Sequence, residues 1–129
     1  RKKILFVCRE NACRSQMAAT FAEYYAGDKI EADTAGTQPT SEINILMTKV
    51  MEEKGLDMAY RKPKSIGDVL GHMKPDLTIS MGCGEECPHI TGTQTEEWNL
   101  TDPSNKSIEF MRQVRDEIEE RVKKMIEGL

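Results

Sequence analysis

Residues 4–18 read ILFVCRENACRSQMA, and they decide how the chain folds. Residues 4–7 form a continuous apolar run with a β-branched residue at each end, which predicts a strand buried on both faces. From Ser15 onward apolar residues recur at helical spacing, and Gly27 ends the predicted helix. Cys8 therefore stands at the tip of the strand, and the loop after it leads into the N-terminus of the helix.

The rest of the chain continues to alternate between strands and helices. Three further strands are predicted at residues 29–36 (KIEADTAG), 76–81 (DLTISM) and 96–100 (EEWNL). Helical spacing predicts a second helix that Ser41 caps and Gly55 ends, a short third helix before Pro75, and a long last helix. The apolar stripe of the last helix consists of Met111, Val114, Ile118, Val122, Met125 and Leu129. This order predicts an α/β fold in three layers, a four-stranded parallel sheet with helices on both faces.

Composition narrows the setting of this fold. A chain of 129 residues that is 38% hydrophobic suits one domain over residues 1–129. Its formal net charge of -4, without a Lys/Arg block longer than residues 1–3, argues against nucleic acid or a membrane surface as partner. No apolar run reaches membrane length and no signal peptide is recognisable, so we expect a cytoplasmic protein. We also expect a monomer.

Three reactive side chains follow three different predicted strands. Cys8 ends the first, Cys83 follows the third and Asp102 follows the fourth. In a parallel sheet, ligands bind beyond the carboxyl ends of the strands, where the strand order reverses. We therefore expect these three residues to gather at one edge of the sheet.

The loop after Cys8 has the chemistry of an oxyanion site. A helix N-terminus and a fixed cation both favour the thiolate, the form of cysteine that attacks. Arg14 adds a planar fork that holds two oxygens, Asn11 is expected to take a positive φ, and Ser15 is predicted to cap the helix and to donate to the thiolate. Successive backbone N–H groups can bind the anion along the whole loop, which comprises Arg9, Glu10, Asn11, Ala12, Cys13 and Arg14.

Two cysteines in this stretch have competing interpretations. Cys8 on its own is more typical of a small buried hydrophobe at a strand end. The full C-x5-R-S spacing between a strand and a helix is more specific, and it favours the anion loop. Cys13 lies inside the loop, where the backbone rather than the side chains points at the anion. Packing is therefore favoured for Cys13 over a redox role.

The segment VCRENACRS, residues 7–15, resembles the phosphate-binding loop of low-molecular-weight protein tyrosine phosphatases and of the arsenate reductases built on the same scaffold. The segments ADTAG, RKPKS and TDP resemble the family in the same order, so the resemblance covers essentially the whole chain. It implies that Cys8 is the nucleophile, that Arg14 holds the oxyanion and that Asp102 is the general acid. The residues alone leave Asp102 open to a structural interpretation, as the first residue of an Asp-Pro turn.

The segment MGCGEECPH contains two more cysteines, Cys83 and Cys87, with three possible roles. They could bind zinc together with His89, but no second paired cluster exists to complete such a site. They could be inert packing, but the glycines and glutamates around them indicate an exposed loop. We favour a redox pair, and we expect Gly82 and Gly84 to allow the movement that brings the two sulfurs together.

The two enzyme classes of this family use these cysteines differently. A phosphatase needs only Cys8, Arg14 and an acid, whereas reduction of arsenate to arsenite takes two electrons, which a dithiol supplies. The pair resembles the arsenate reductase branch, although the thioredoxin-coupled members space their cysteines more widely than C-x3-C. Ser104 and Asn105 stand where the family's phosphatases typically have tyrosines. We therefore favour an arsenate reductase, with hydrolysis of aryl phosphates as the alternative.

The resemblance implies the partners and the order of thiol transfer. Arsenate is the expected substrate, with phosphate or sulfate as analogues, and a thioredoxin-like dithiol is the expected reductant. Cys8 attacks arsenic, Cys83 then attacks the sulfur of Cys8, and Cys87 resolves the resulting disulfide. Many relatives have a glutamate tied to potassium binding where this chain has Ala19, so a potassium site is not expected. No other metal and no cofactor are expected either. His72 and His89 are each expected to be exposed surface residues.

Overall fold

The computed structural model describes residues 1–82 and 90–129 of the chain. Within these ranges the helices and strands are, in chain order, β1 (Lys2–Cys8), α1 (Arg14–Ala26), β2 (Ile30–Gly36), α2 (Ile45–Glu52), α3 (Ile66–Leu70), β3 (Leu77–Ser80), β4 (Gln94–Glu97) and α4 (Ile108–Glu127). The cysteines at 83 and 87 and the histidine at 89 lie outside the described residues.

The strands of the described ranges form one parallel sheet of four, in the order β2-β1-β3-β4. β1 pairs with β2 along its whole length, so that Cys8 lies opposite Gly36, and it pairs with β3 on its other edge. The chain moves to one side of β1 to form β2 and to the other side to form β3. The carboxyl end of β1 therefore lies where the strand order reverses, and it carries Cys8.

Helices cover both faces of the sheet, as predicted. Ile4, Phe6 and Cys8 of β1 join an apolar cluster that contains residues of α1, α2 and α4. Leu5 and Val7 point to the other face and join a smaller cluster with Val69 of α3. Residues 4–8 are all buried, which explains why the strand is continuously apolar rather than alternating.

The long helix α4 packs through the predicted stripe over most of its length. Met111, Val114, Ile118 and Val122 are buried, whereas Leu129 is 47% exposed. The prediction was wrong for Leu129 because α4 ends at Glu127, before the stripe reaches it. Among the helices of the described ranges, none combines the length and the apolar character that crossing a bilayer would take.

The predicted boundaries of α2 and β4 were wrong. α2 begins after Asn44, whose side chain accepts a hydrogen bond from the backbone N–H of Met47 at 3.1 Å, so Ser41 is not its cap. β4 spans Gln94–Glu97, although the prediction placed a strand at residues 96–100. The prediction followed the apolar Trp98 and Leu100, which are buried in the core but follow the strand. β4 itself is an exposed edge strand, which backbone pairing with β3 defines rather than an apolar pattern.

An ion-pair cluster joins the end of α2 to α4. The Glu53 carboxylate accepts hydrogen bonds from Arg112 at 2.8 Å and from Arg115 at 2.7 Å. The hydrogen bonds from Arg112 and then from Arg115 lower the pKa of Glu53 to about 2. Because the folded-state pKa is lowered, the charged carboxylate stabilises the fold above its unfolded-state pKa, and this contribution disappears as the pH falls towards 2.

We expect Glu53→Gln to lower the free energy of unfolding at neutral pH, because the ion pairs are lost. The difference from the unmodified protein should stay constant from about pH 7 to pH 5 and shrink between about pH 4.5 and pH 2. Urea unfolding at a series of pH values measures it. Glu52→Gln serves as the control, since Glu52 is an exposed neighbour outside the cluster. A difference that does not change with pH would contradict this assignment.

Candidate active site

The loop between β1 and α1 is tied to the segment that follows β2. The carbonyl groups of Cys8, at the end of β1, and of three loop residues accept backbone hydrogen bonds from that segment. The bonds run from Thr37 to Cys8 at 3.3 Å, from Gln38 to Arg9 at 2.8 Å, from Thr40 to Glu10 at 3.1 Å and from Asn44 to Ala12 at 2.9 Å. The carbonyl of Asn11 accepts from the Gln16 side chain at 2.8 Å. Five consecutive carbonyls, those of residues 8–12, are thus held by donors.

This arrangement leaves the amides of the loop available. In a trans peptide the C=O of one residue and the N–H of the next point in opposite directions. Because the carbonyls of residues 8–12 point to their donors, the N–H groups that follow them point away from these donors. Between the described residues, no hydrogen bond uses the N–H groups of residues 10–16. The loop therefore offers an array of unused donors at a helix N-terminus, which is an anion-binding arrangement.

Asn11 holds the shape of this loop. It has a φ of 56°, which confirms the positive φ predicted from the sequence. The side chain is fully buried, and its Oδ1 accepts from the backbone N–H of Lys64 at 2.7 Å. Its Nδ2 donates to Oγ of Ser15 at 2.7 Å. One side chain thus connects the loop to the first turn of α1 and to the segment before α3.

Sequence reasoning assigned no role to the residues that surround Asn11. Thr34 Oγ1 lies 3.4 Å from Asn11 Oδ1. A Cβ added to Gly36 would lie 2.8 Å from the carbonyl oxygen of Arg9 and 2.9 Å from Cβ of Asn11, so a side chain does not fit there. Together with Lys64, these residues belong to the ADTAG and RKPKS segments. Their only signal in the sequence was the resemblance of those segments to the family.

The Cys8 sulfur lies 2.9 Å from Oγ of Ser15, and both residues are buried. Since Ser15 Oγ accepts from Asn11, the serine hydrogen is available to donate to the sulfur. The predicted contact between Ser15 and the sulfur is therefore present. The predicted helix cap is wrong, because α1 begins at Arg14 and has Cys13 as its N-cap without a side-chain hydrogen bond. Ser15 lies inside the first turn, where its hydroxyl group bonds the sulfur and Asn11 instead.

Arg14 is buried at the N-terminus of α1, with only 4% of its surface exposed. Its Nη1 donates to the carbonyl oxygen of Leu100 at 3.1 Å, and its Nη2 lies 3.9 Å from Oδ2 of Asp102. Its Nε is buried and has no hydrogen-bond partner among the described residues. Asp102 also accepts from the backbone N–H of Ser104 at 2.9 Å, so it both forms a turn and faces the arginine. The side chain of Asp102 is 46% exposed.

The predicted edge of the sheet is confirmed for the residues that the structure describes. The Cys8 sulfur contacts Ser15 at the end of β1, where the strand order reverses, and Asp102 lies 3.9 Å from Arg14, the residue before Ser15. Cys83 and Cys87 lie outside the described residues, so the redox, zinc and packing interpretations of this pair stay predictions. Across residues 1–82 and 90–129, no group of three or more His, Cys, Asp or Glu side chains is arranged to hold a metal.

The remaining predicted loop residues occupy different depths. Ala12 is buried, Glu10 is half-buried and Arg9 is exposed. The guanidinium of Arg9 lies within 3.3 Å of the side-chain oxygen of Gln38. Outside the loop, the His72 side chain is 63% exposed, as predicted, and its Nε2 lies 3.6 Å from Oδ2 of Asp33.

Comparison with known proteins agrees with this geometry. Residues 3–129 match the low molecular weight phosphotyrosine protein phosphatase family. The chain belongs to this family. A glutaredoxin arsenate reductase from Synechocystis sp. is 37% identical to this chain, and the match covers 97% of this chain and 96% of the relative.

Two solved arsenate reductases show the same fold. One, in the phosphate-binding state, superimposes with a TM-score of 0.87 at 34% identity, over 99% of this chain and 98% of its own. The other is a thioredoxin-dependent arsenate reductase from Corynebacterium glutamicum, with a TM-score of 0.81 and 32% identity. The match covers 98% of the present chain but only 61% of the longer Corynebacterium chain.

Cys13 differs from Cys8 in its surroundings. Its sulfur points into the core and lies 3.3 Å from Sδ of Met111 on α4. Burial and then the neighbouring Cys8 raise the pKa of the Cys13 thiol. A buried thiol with a raised pKa is a poor nucleophile, which agrees with the packing interpretation.

We expect Cys13 to resist alkylation in the folded protein. Because its pKa is raised, the thiolate forms only at a pH above that of an ordinary cysteine, and burial blocks access as well. Iodoacetamide treatment at pH 8, followed by peptide mass mapping, should leave Cys13 unmodified. The same treatment in urea is the control and should alkylate it. Fast modification in the folded protein would show that the loop opens.

Proposed function

We propose that this protein is a thiol-dependent arsenate reductase, with Cys8 as the nucleophile in the oxyanion loop. The main observation behind this proposal is that the Cys8 sulfur lies 2.9 Å from the hydroxyl of Ser15, beside a loop with unused backbone amides. A tetrahedral oxyanion fits such an array of donors. The choice of arsenate is supported by relatives and solved structures that are arsenate reductases along nearly the whole length of this chain.

The first step is binding of arsenate by the loop amides and by Arg14. Nη1 of Arg14 is engaged by the Leu100 carbonyl, whereas its Nε has no partner among the described residues. The edge formed by Nε and Nη2 is therefore the one available for two oxygens of the anion. Phosphate and sulfate are tetrahedral oxyanions like arsenate, and we expect both to compete with it for this site.

The second step joins the Cys8 sulfur to arsenic. Ser15 and the helix N-terminus stabilise the thiolate, which attacks arsenic while one oxygen leaves. Asp102, which faces Arg14 and is partly open to solvent, donates the proton with which this oxygen departs as water. A covalent adduct between Cys8 and arsenic results.

The remaining steps move two electrons from thiols to arsenic. Cys83 attacks the Cys8 sulfur, the electron pair of the sulfur–arsenic bond goes to arsenic, and arsenite is released. Cys87 attacks Cys83 of the resulting disulfide, which restores the Cys8 thiol and leaves a disulfide between Cys83 and Cys87. An external dithiol reduces this disulfide and completes the cycle.

The external reductant is the part of the cycle for which the relatives differ. The Corynebacterium structure is thioredoxin-dependent, and the Synechocystis relative is a glutaredoxin arsenate reductase. We favour a thioredoxin-like protein, because a disulfide between two protein cysteines is a suitable substrate for another dithiol. We also propose that the protein works as a monomer of one domain in the cytoplasm, where thiols stay reduced.

Hydrolysis of aryl phosphates is the competing function. The family takes its name from phosphatases, and the loop, Arg14 and Asp102 serve phosphate as well as arsenate. A phosphatase would hydrolyse a phosphocysteine at Cys8 with water, without the second pair of cysteines. The loop geometry is common to both functions, so activity measurements must decide between them.

One assay tests the proposal. Purified protein receives arsenate or p-nitrophenyl phosphate, with a thioredoxin system, a glutaredoxin and glutathione system, or no reductant. We expect many turnovers of arsenate with a dithiol system and weak hydrolysis of the aryl phosphate. Cys8→Ser should abolish both activities, because both begin at the same sulfur. Fast hydrolysis of the aryl phosphate without arsenate reduction would establish the phosphatase instead.

The Cys83→Ser/Cys87→Ser double variant separates the two functions further. In a reductase it removes the electron source, so steady arsenate reduction should be lost while aryl phosphate hydrolysis changes less than about threefold. That hydrolysis is the control for folding and for the oxyanion loop. Cys87→Ser alone should give about one arsenite per protein and trap a disulfide between Cys8 and Cys83. Multiple turnover by this single variant with thioredoxin would contradict the role of Cys87.

A further inference from the structure

Gly82 lies two residues after the end of β3 and packs against the catalytic arginine. It has a φ of +82°. A Cβ added to it would lie 2.4 Å from Nη1 of Arg14 and 2.6 Å from the carbonyl oxygen of Leu100. Both distances are below 3.0 Å, and real Cβ atoms essentially never approach other atoms so closely. The guanidinium therefore occupies the space that a side chain at residue 82 would need.

The two groups that crowd Gly82 are bonded to each other. Nη1 of Arg14 donates to the Leu100 carbonyl at 3.1 Å, and a side chain at 82 would push both partners of this bond. We propose that Gly82 is a positioning residue for oxyanion binding. Because glycine has no side chain, Nη1 of Arg14 has the space to donate its hydrogen bond to the Leu100 carbonyl. This inference rests on the proposed role of Arg14 as an oxyanion ligand.

The position of the guanidinium matters because only one of its edges remains for the anion. Nη1 is bound to Leu100, and Nη2 lies 3.9 Å from Asp102. Nε is buried without a partner among the described residues. A guanidinium that is already in place loses little conformational entropy when an anion binds, whereas a displaced one has to be reordered first. Displacement of Arg14 should therefore appear as a loss of anion affinity.

A side chain at residue 82 would also strain the backbone, and the chain contains a control for this second effect. Gly92 has a φ of +85°, close to that of Gly82. A Cβ added to Gly92 would meet only the Cε atom of Lys74 among the described residues, at an ordinary distance of 3.9 Å. Gly82→Ala and Gly92→Ala thus share the backbone strain, and only the first crowds Arg14.

The first experiment measures binding of inorganic phosphate by isothermal titration calorimetry. We expect the unmodified protein and Gly92→Ala to bind with the same Kd, and Gly82→Ala to bind at least about tenfold more weakly. Equal binding by Gly82→Ala would overturn the role of Gly82 and leave the proposed function intact. Absence of phosphate binding in the unmodified protein would overturn the oxyanion site itself, and this inference with it.

The second experiment repeats the change in an Arg14→Lys background, which has no guanidinium to position. We expect Arg14→Lys and Arg14→Lys/Gly82→Ala to bind phosphate with the same weak Kd. A further loss as large as that in the unmodified background would overturn the proposal. If Gly82→Ala alone does not fold, the double variant should regain stability, because lysine removes the 2.4 Å contact with Nη1 and leaves only that with the Leu100 carbonyl. A double variant that also fails to fold would identify Gly82 as a purely structural residue.

Discussion

The candidate site depends on one buried side chain, that of Asn11. Its amide bonds Ser15 on α1 and the backbone of Lys64, and its backbone takes the left-handed conformation that the loop requires. A buried polar group left without partners costs about 1–3 kcal/mol, so its bonds strongly favour one shape of the loop. Because the amide nitrogen donates to Oγ of Ser15, the hydroxyl hydrogen of Ser15 stays free to donate to the Cys8 sulfur.

A second constraint acts from outside the loop. The segment after β2 holds the loop carbonyls on one side, and the Leu100 carbonyl holds Arg14 on the other. Donors that would otherwise be mobile are therefore in place before an anion arrives. The buried Nε of Arg14 has no acceptor among the described residues. An oxyanion would remove the cost of this unpaired donor, which is a physical reason for the site to bind one.

Much of the fold could be predicted from periodicity. The apolar run of β1, the helical spacing of α1 and the alternation of elements were sufficient to predict a four-stranded parallel sheet. They also placed Cys8 at the carboxyl end of a strand of this sheet. The errors occurred where boundaries depend on contacts rather than on apolar pattern. Asn44 rather than Ser41 caps α2, and its own N–H bonds the Ala12 carbonyl of the loop. β4 is polar and exposed, so only its backbone pairing with β3 identifies it.

The sequence by itself determined the order of the elements, the C-x5-R-S loop and the residue types that can attack and bind an oxyanion. These are local properties, because a strand, a helix and a loop between them are specified by neighbouring residues. Only the tertiary structure decided which groups hold the site. The bond from Arg14 to Leu100 joins residues 86 positions apart, and that from Lys64 to Asn11 joins residues 53 apart. Such contacts follow from the strand order, which brings backbone groups together that no local pattern relates.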